Sequence, residues 1–248
     1  MWTSCRRAVT ASIDLLLPPV CLLCGKFLPT NHSVQSFCHD CLASMSPLGP
    51  AHCSRCAQPF PDSTSIHLCG NCLKRPPAFS IVHAAGLYQG GIKDAVQRLK
   101  YRNQISLAKP LGQLIGNVIE AAKADFVPDC IVPVPLHLDR LRQRGYNQAL
   151  EVSRPIAKQL GITVDTGLLQ RIRNTPPQQG LPAIERRSNL RNAFDLTLTL
   201  SDPSLTSAAQ RILLVDDVMT TGETVRECCR TLLAGGVGEV QVAVVGRA

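Results

Sequence analysis

At 248 residues the chain has room for one core of moderate size plus a small appendage, and its 45% hydrophobic content places it among globular proteins. Twenty-six Lys and Arg against eighteen Asp and Glu leave a net charge of +8, which biases the surface toward phosphates, nucleic acid or anionic substrates without choosing among them. No run approaches the ~18–20 apolar residues of a membrane span. Met1 to Val20 makes no export signal, because its apolar run Ile13-Asp-Leu-Leu-Leu17 is short, carries Asp14 and ends at Pro18-Pro19.

The first stretch reads instead as a short amphipathic helix packing on the body. A cytoplasmic location is expected, with the twelve cysteines as reduced thiols or metal ligands. Eight of them form four Cys-x-x-Cys pairs: Cys21/Cys24, Cys38/Cys41, Cys53/Cys56 and Cys69/Cys72. Two thiolates at that spacing turn onto one ion, and two such knuckles complete the closed four-sulfur set of a structural zinc site. One or two ions are expected. Sequential pairing is favoured, and a crossed arrangement stays open. Four thiolates leave no vacant position for catalysis, and four pairs in series do not follow the βαβ pattern of a redox Cys-x-x-Cys. With four cysteines available per ion, His32, His39, His52 and His67 are read as surface residues; Cys5, Cys130, Cys228 and Cys229 are read as buried small residues.

Lys74-Arg-Pro-Pro-Ala78 looks like a linker, so the chain divides into 1–78, an N-terminal helix with a double zinc ribbon, and 79–248. Phe79 to Tyr88 reads as a strand, Gly90-Gly91 breaks it, and Ile92 to Tyr101 and Leu107 to Ala122 carry helical spacing. A basic cluster, with Lys93, Arg98, Lys100, Arg102 and Lys109, surrounds the first of these helices. It is a solvated face, or else a phosphate or nucleic-acid contact. Asp129 to Pro135 is the next strand, and Pro133 and Pro135 stop its pairing. Arg140, Arg142 and Arg144 then precede Gly145 and a helix running to about Leu160; guanidinium groups beside a helix amino terminus suit an anion. Arg171 to Asn192 has little periodicity and is rich in Pro and Arg, as expected of a mobile loop over a site. Ala193 to Leu200 reads as strand, and Ser201 to Gln210 as a polar excursion.

The most informative stretch is Arg211-Ile-Leu-Leu-Val-Asp-Asp-Val-Met-Thr-Thr-Gly-Glu-Thr-Val225. A strand, Ile212 to Val215, feeds a loop and then a helix, the unit of a parallel sheet covered by helices, whose ligands bind beyond the carboxyl ends of the strands. Backbone N–H groups around Thr220 to Thr224, with the hydroxyls of Thr220, Thr221 and Thr224, make an anion cradle. Gly222 lets the backbone approach a phosphate closely. Asp216 and Asp217 repel a phosphate but accept from a ribose diol and help to place a divalent ion, so a sugar phosphate fits. Glu239 to Val245 supplies a last strand.

Val215-Asp-Asp-Val-Met-Thr-Thr-Gly-Glu-Thr224 resembles the phosphoribosyl-pyrophosphate loop of type I phosphoribosyltransferases. With the four cysteine pairs, Pro133-Val-Pro135, Arg144-Gly-Tyr-Asn-Gln148 and Thr175-x-x-Gln178-x-x-Leu181, the chain resembles the ComF/GntX family over roughly Pro18 to Arg247. The resemblance implies an α/β fold: a type I phosphoribosyltransferase-like parallel sheet flanked by helices, preceded by a small N-terminal zinc-ribbon domain with four cysteines to each ion. It implies that Asp216 and Asp217 are the catalytic pair within the loop that holds ribose 5-phosphate through Val218, Thr220, Thr221, Gly222 and Thr224, that Pro135, Arg144 and Gly145 hold pyrophosphate, and that Thr175 and Gln178 belong to a flexible loop. It further implies Mg²⁺ with phosphoribosyl pyrophosphate, and a part in DNA uptake or utilisation during natural transformation. Single-stranded DNA and DNA-uptake proteins are the implied partners; Lys100, Arg102, Arg140 and Arg142 are compatible with nucleic acid. Two other readings stand beside this one. One is an active phosphoribosyltransferase, a glycosyltransferase, on an unidentified amine or base acceptor. The other is a non-catalytic zinc-ribbon nucleic-acid adaptor.

Overall fold

The structure, a computed structural model, describes residues 18–29, 36–60, 65–122, 127–174, 190–197 and 210–248. The expected amino-terminal helix, Cys5 and His32 lie outside them, as do Thr175 and Gln178. Among the described residues, no helix is long and apolar enough to cross a membrane.

Two short helices, α1 (His39–Ala43) and α2 (Gly70–Lys74), belong to the cysteine segment. Strand β1 (Val82–Leu87) leads into α3 (Gly90–Tyr101) and α4 (Ala108–Ala121). Strand β2 (Cys130–Pro133) is followed by α5 (Leu138–Arg144) and α6 (Gln148–Leu160), then by β3 (Thr163–Val164), β4 (Leu169–Arg171) and β5 (Phe194–Leu196). The chain closes with β6 (Arg211–Met219), α7 (Glu223–Ala234) and β7 (Glu239–Arg247). The main sheet has the order β1-β7-β6-β2-β3 and is parallel throughout, so all its carboxyl ends share one edge.

Period-two alternation explains why the central strands are apolar on both sides. Ile212 and Leu214 of β6, with Val240, Val242 and Val244 of β7, pack toward Cys228, Cys229 and Leu232 of α7. Leu213, Val215, Ala243 and Val245 pack toward Leu99, Ile115 and Ile156 of α3, α4 and α6. Full burial of side chains of this kind contributes roughly 1.5–3 kcal/mol each. Cys130, Cys228 and Cys229 are buried in these layers, as the sequence suggests.

The two halves of the cysteine segment grip opposite faces of the sheet. Cys21, Leu23, Leu28, Phe37 and Met45 join the α3–α4 layer, whereas Cys53, Cys56, Ala57 and Cys72 join the α7 layer with Phe79. Between them, Ser46 O accepts from Leu87 N (2.9 Å) at the end of edge strand β1. A Cβ on Gly86 would stand 2.3 Å from that same oxygen, so this contact requires glycine.

Two expectations need correcting. β6 does not end at Val215 but pairs with β7 through Met219, so Asp216 and Asp217 lie within the strand rather than in the loop after it. The reason is asymmetric pairing: β2 stops opposite Val215, at Pro133, while β7 continues for four more residues along β6. Of the stretch read as a loop over Arg171 to Asn192, residues 175–189 lie outside the described residues, and its first residues are strand-paired rather than loop. Arg171 pairs with Phe194 in an antiparallel β4–β5 ribbon, and Ile172 N donates to Ala193 O (2.9 Å).

Candidate functional site

Because β2 ends early, the β2-facing edge of β6 is open from Asp216 onward, and a cavity of about 300 Å³ forms there. Its lining brings Asp216, Asp217, Val218, Thr220 and Thr224 together with Pro135, Arg140, Arg144 and Lys100. Gly145 stands just outside, where φ +83° lets it end α5 in the left-handed region. Thr221 faces a neighbouring cavity. Of the three arginines on α5, Arg142 turns outward, with its side chain 79% exposed, and pairs with Asp139. Arg102 is exposed as well.

The loop after β6 is set by Gly222, whose φ of +77° starts α7 and whose Cβ, if it had one, would meet Met219 Cε at 2.4 Å. A helix amino terminus with Thr220 and Thr224 beside it therefore faces the cavity from one side. The Arg144-Gly-Tyr-Asn-Gln148 turn supplies Arg144, Asn147 and Gln148 to the same lining. Asn147 fixes it twice: its Oδ1 accepts from Ala149 N (3.0 Å) to cap α6, and its Nδ2 donates to Val134 O (3.0 Å). Tyr146, buried, donates its hydroxyl to Leu99 O. Arg144 donates to Gln148 Oε1 (2.5 Å) and lies over the Tyr101 ring, 5.5 Å from its centre. Gln148 is buried, and its Nε2 has no hydrogen-bond partner among the described residues, which leaves a donor in the cavity wall.

Electrostatics divides the cavity. Asp217 is ion-paired with Lys100, Nζ to Oδ1 2.8 Å. Burial opposes the Lys100 charge, but Asp217 and then Asp216 outweigh it and raise the amine above its ordinary value. Asp216 is deep-set, reached by solvent only in part; burial and the adjacent Asp217 push its carboxyl up to about 7. Arg140 and Arg171 are both held below the usual guanidinium value, by burial first and then by the next arginine, Arg144 and Arg140 respectively. A cavity lined at once by a carboxylate pair, guanidinium groups and the threonines of a helix amino terminus suits a ligand carrying both hydroxyls and phosphate groups.

Arg171, Tyr88 and Tyr101 also line the cavity, and no motif in the sequence marks them. Arg171 sits in a segment whose prolines and arginines suggest a loop; only its pairing with Phe194, over whose ring it lies at 5.4 Å, turns it into a wall. Lys100 is one cation among five in the sequence, without a sign that it alone faces inward.

The cysteines form two groups in sequential pairing, Cys21/Cys24/Cys38/Cys41 and Cys53/Cys56/Cys69/Cys72, each with its sulfur atoms within 4.8 Å of one another. The sulfur atoms of Cys24 and Cys38 lie 3.6 Å apart, as do those of Cys56 and Cys69. A tetrahedron with metal–sulfur bonds of about 2.3 Å has edges of about 3.8 Å, so each set fits one structural zinc ion. Backbone N–H groups of Cys56 and Cys69 donate to Cys53 Sγ (3.5 and 3.3 Å). Burial opposes ionisation of Cys53, but such donors bring its thiol down to about 6. No histidine joins either group among the described residues.

Two family models match separate stretches of the chain. Residues 12–73 match the family model of a double zinc ribbon domain, and residues 147–247 that of a phosphoribosyl transferase domain. The chain is 37% identical to competence protein F of Haemophilus influenzae, over 73% of this chain and 78% of that one. It is 32% identical to the DNA utilization protein YhgH of Escherichia coli K12, over 92% of this chain and 96% of that one. A solved glutamine phosphoribosylpyrophosphate amidotransferase from B. subtilis overlaps 57% of this chain and 26% of its own length at 19% identity, with a TM-score of 0.36.

Proposed function

Given that the chain belongs to the ComF/GntX family, that of competence protein F and the DNA utilization protein YhgH, we propose that it binds phosphoribosyl pyrophosphate with Mg²⁺ and serves the uptake or use of DNA in the cytoplasm. The observation that carries the ligand is the cavity at the carboxyl edge of the sheet, which Asp216 and Asp217 line together with Thr220, Thr224 and the arginines of α5 and β4. In this reading the turn takes the 5-phosphate, the two carboxylates accept from the ribose hydroxyls, and Arg140, Arg144 and Arg171 take the pyrophosphate. Mg²⁺, when bound, neutralises charge on the pyrophosphate oxygens. Domain boundaries at 78/79 follow from the same reading: the ribbons act as an interaction module on a sugar-phosphate-binding body. Single-stranded DNA and DNA-uptake proteins are the proposed partners, with exposed Arg102 and Arg142 next to cavity residues Tyr101 and Arg144 as candidate phosphate contacts.

Calorimetric titration of phosphoribosyl pyrophosphate with Mg²⁺ into the wild type and into Asp216→Asn/Asp217→Asn tests the ligand. Saturable heat in the wild type, lost in the double variant, is the expected result; no heat in the wild type rejects the reading. Pyrophosphate release on adding candidate amines or bases then separates a transferase from a binding protein.

A further inference from the structure

Arg247, the last residue of β7, is 3% exposed, a rare position for a guanidinium group. Burial of that charge is tolerable only when its donors are satisfied, and here they reach three parts of the chain at once. Nε donates to Cys56 O (2.8 Å) and Nη2 to Gln58 Oε1 (2.6 Å), both in the second ribbon. Nη1 donates to Met219 O (3.0 Å) and Thr220 O (2.7 Å), at the point where β6 becomes the phosphate turn, and also to Ala248 O. Cys56 is at the same time a member of the second cysteine group, its sulfur 3.6 Å from that of Cys69. Thr220 is at the same time a wall of the carboxyl-edge cavity.

We infer that Arg247 is a positioning residue for the phosphate turn, and that metal in the second cysteine group sets the shape of that turn through it. The steps are short. Metal bound by the Cys56 thiolate fixes the Cys53–Cys56 knuckle and so the carbonyl of Cys56; that carbonyl, with Gln58, orients the guanidinium; the guanidinium holds the carbonyls of Met219 and Thr220, and with them the direction of the N–H groups that follow. Loss of the metal frees Cys56 O, leaves a buried cation short of acceptors, and loosens Thr220 to Thr224. Among the described residues the first cysteine group shows no such connection: it packs on the α3–α4 face, with Arg98 donating to Leu23 O (2.7 Å) and Gln104 to Leu22 O (2.8 Å). The two ions thus have different work, the second being tied to the ligand site and the first to the helices behind it. The assignment of the turn to phosphate rests on the function proposed above; the mechanical link does not.

Amide hydrogen exchange on the full-length, zinc-loaded protein tests the link. Arg247→Met is expected to speed exchange over 219–224 by about tenfold or more while leaving α3 and α6 unchanged, and Arg247→Lys to restore it only in part. Should Arg247→Met fail to fold, stepwise chelation of the wild type replaces it: loss of the second ion is expected to loosen 219–224, and Cys24→Ser, which disables the first group, is not. Unchanged exchange at 219–224 in Arg247→Met, or after loss of the second ion, overturns the inference. So does loss of protection over the whole sheet on chelation, which would give the metal a global role. Because no sugar phosphate is present, a loosened turn in a protein that takes up no phosphoribosyl pyrophosphate leaves the link standing and removes only the ligand.

Discussion

The ammonium of Lys100, in the last turn of α3, lies 2.8 Å from Oδ1 of Asp217 on β6, with the two side chains 20% and 9% exposed. This pair joins a helix from the first crossover to the strand at the centre of the sheet, and it stands beside a second carboxylate, Asp216. Without Lys100, Asp217 would lose its ion-paired amine in a largely buried site that it shares with Asp216. Lys100→Met should therefore destabilise the fold by about 3 kcal/mol, the range for breaking a buried pair on one side. Adding Asp217→Asn should recover most of the loss, since the orphaned charge goes with it. Chemical denaturation of the two single variants and the double variant measures the coupling; additive effects would show that the pair is not energetically joined.

Asp216 predicts a pH dependence with a definite sign. Its carboxyl is raised from 3.8 to about 7, so the folded chain holds this proton where the unfolded chain has released it. The stabilising contribution is fully present below 3.8 and is lost as pH rises through about 7. Asp216→Asn cannot ionise and should match the wild type near pH 4 but exceed its thermal stability at pH 8. Ligand affinity should run the other way: a carboxylate that accepts from ribose hydroxyls works ionised, so wild-type binding should strengthen from pH 6 to pH 8. Melting curves and titrations at those pH values check both slopes.

Much of this arrangement is legible in the sequence, and what is not has specific causes. Eight cysteines at fixed spacing reveal the ribbons, because metal geometry acts over a few residues. The run Ile212 to Thr224 reveals the central strand and the turn, because aliphatic continuity and Gly222 are local signals. The end of β6 is misplaced because it depends on how far β7 runs beside it, a property of another strand. Arg171 and Arg247 are hidden for a related reason. Each acquires its role from partners far along the chain, Phe194 for one and Cys56 and Thr220 for the other. The basic run on α5 reads as three equivalent arginines, yet helical geometry turns Arg142 outward while Arg140 and Arg144 face the cavity.

That difference makes Arg142 an internal control for anion binding. Arg140→Ala and Arg144→Ala should each weaken pyrophosphate binding by about tenfold or more, the cost of one charge-assisted contact in a partly buried site. Arg142→Ala should leave it within about twofold at moderate salt. Titration with pyrophosphate and Mg²⁺ reads these directly. Equal losses at all three positions would mean that diffuse positive charge, rather than the geometry of the cavity, does the binding.

The two cysteine groups should differ in what their loss does to the fold. Cys53 is 1% exposed, its sulfur receives N–H groups from Cys56 and Cys69, and it packs in the same layer as Phe79 and Val225. Cys24 is exposed, and its neighbours Cys38 and Cys41 are only half-buried. Removing either thiolate should cost one zinc equivalent out of two, measured as metal content of the purified protein. The structural consequence should be unequal. Cys24→Ser opens a knuckle at the surface, whereas Cys53→Ser places a hydroxyl and a released knuckle against the α7 face of the sheet, where solvent cannot replace the lost contacts. Thermal unfolding should therefore show a larger drop in Tm for Cys53→Ser than for Cys24→Ser. Equal drops would show that the second ribbon draws its stability from its ion alone, with the packing against Phe79 adding nothing.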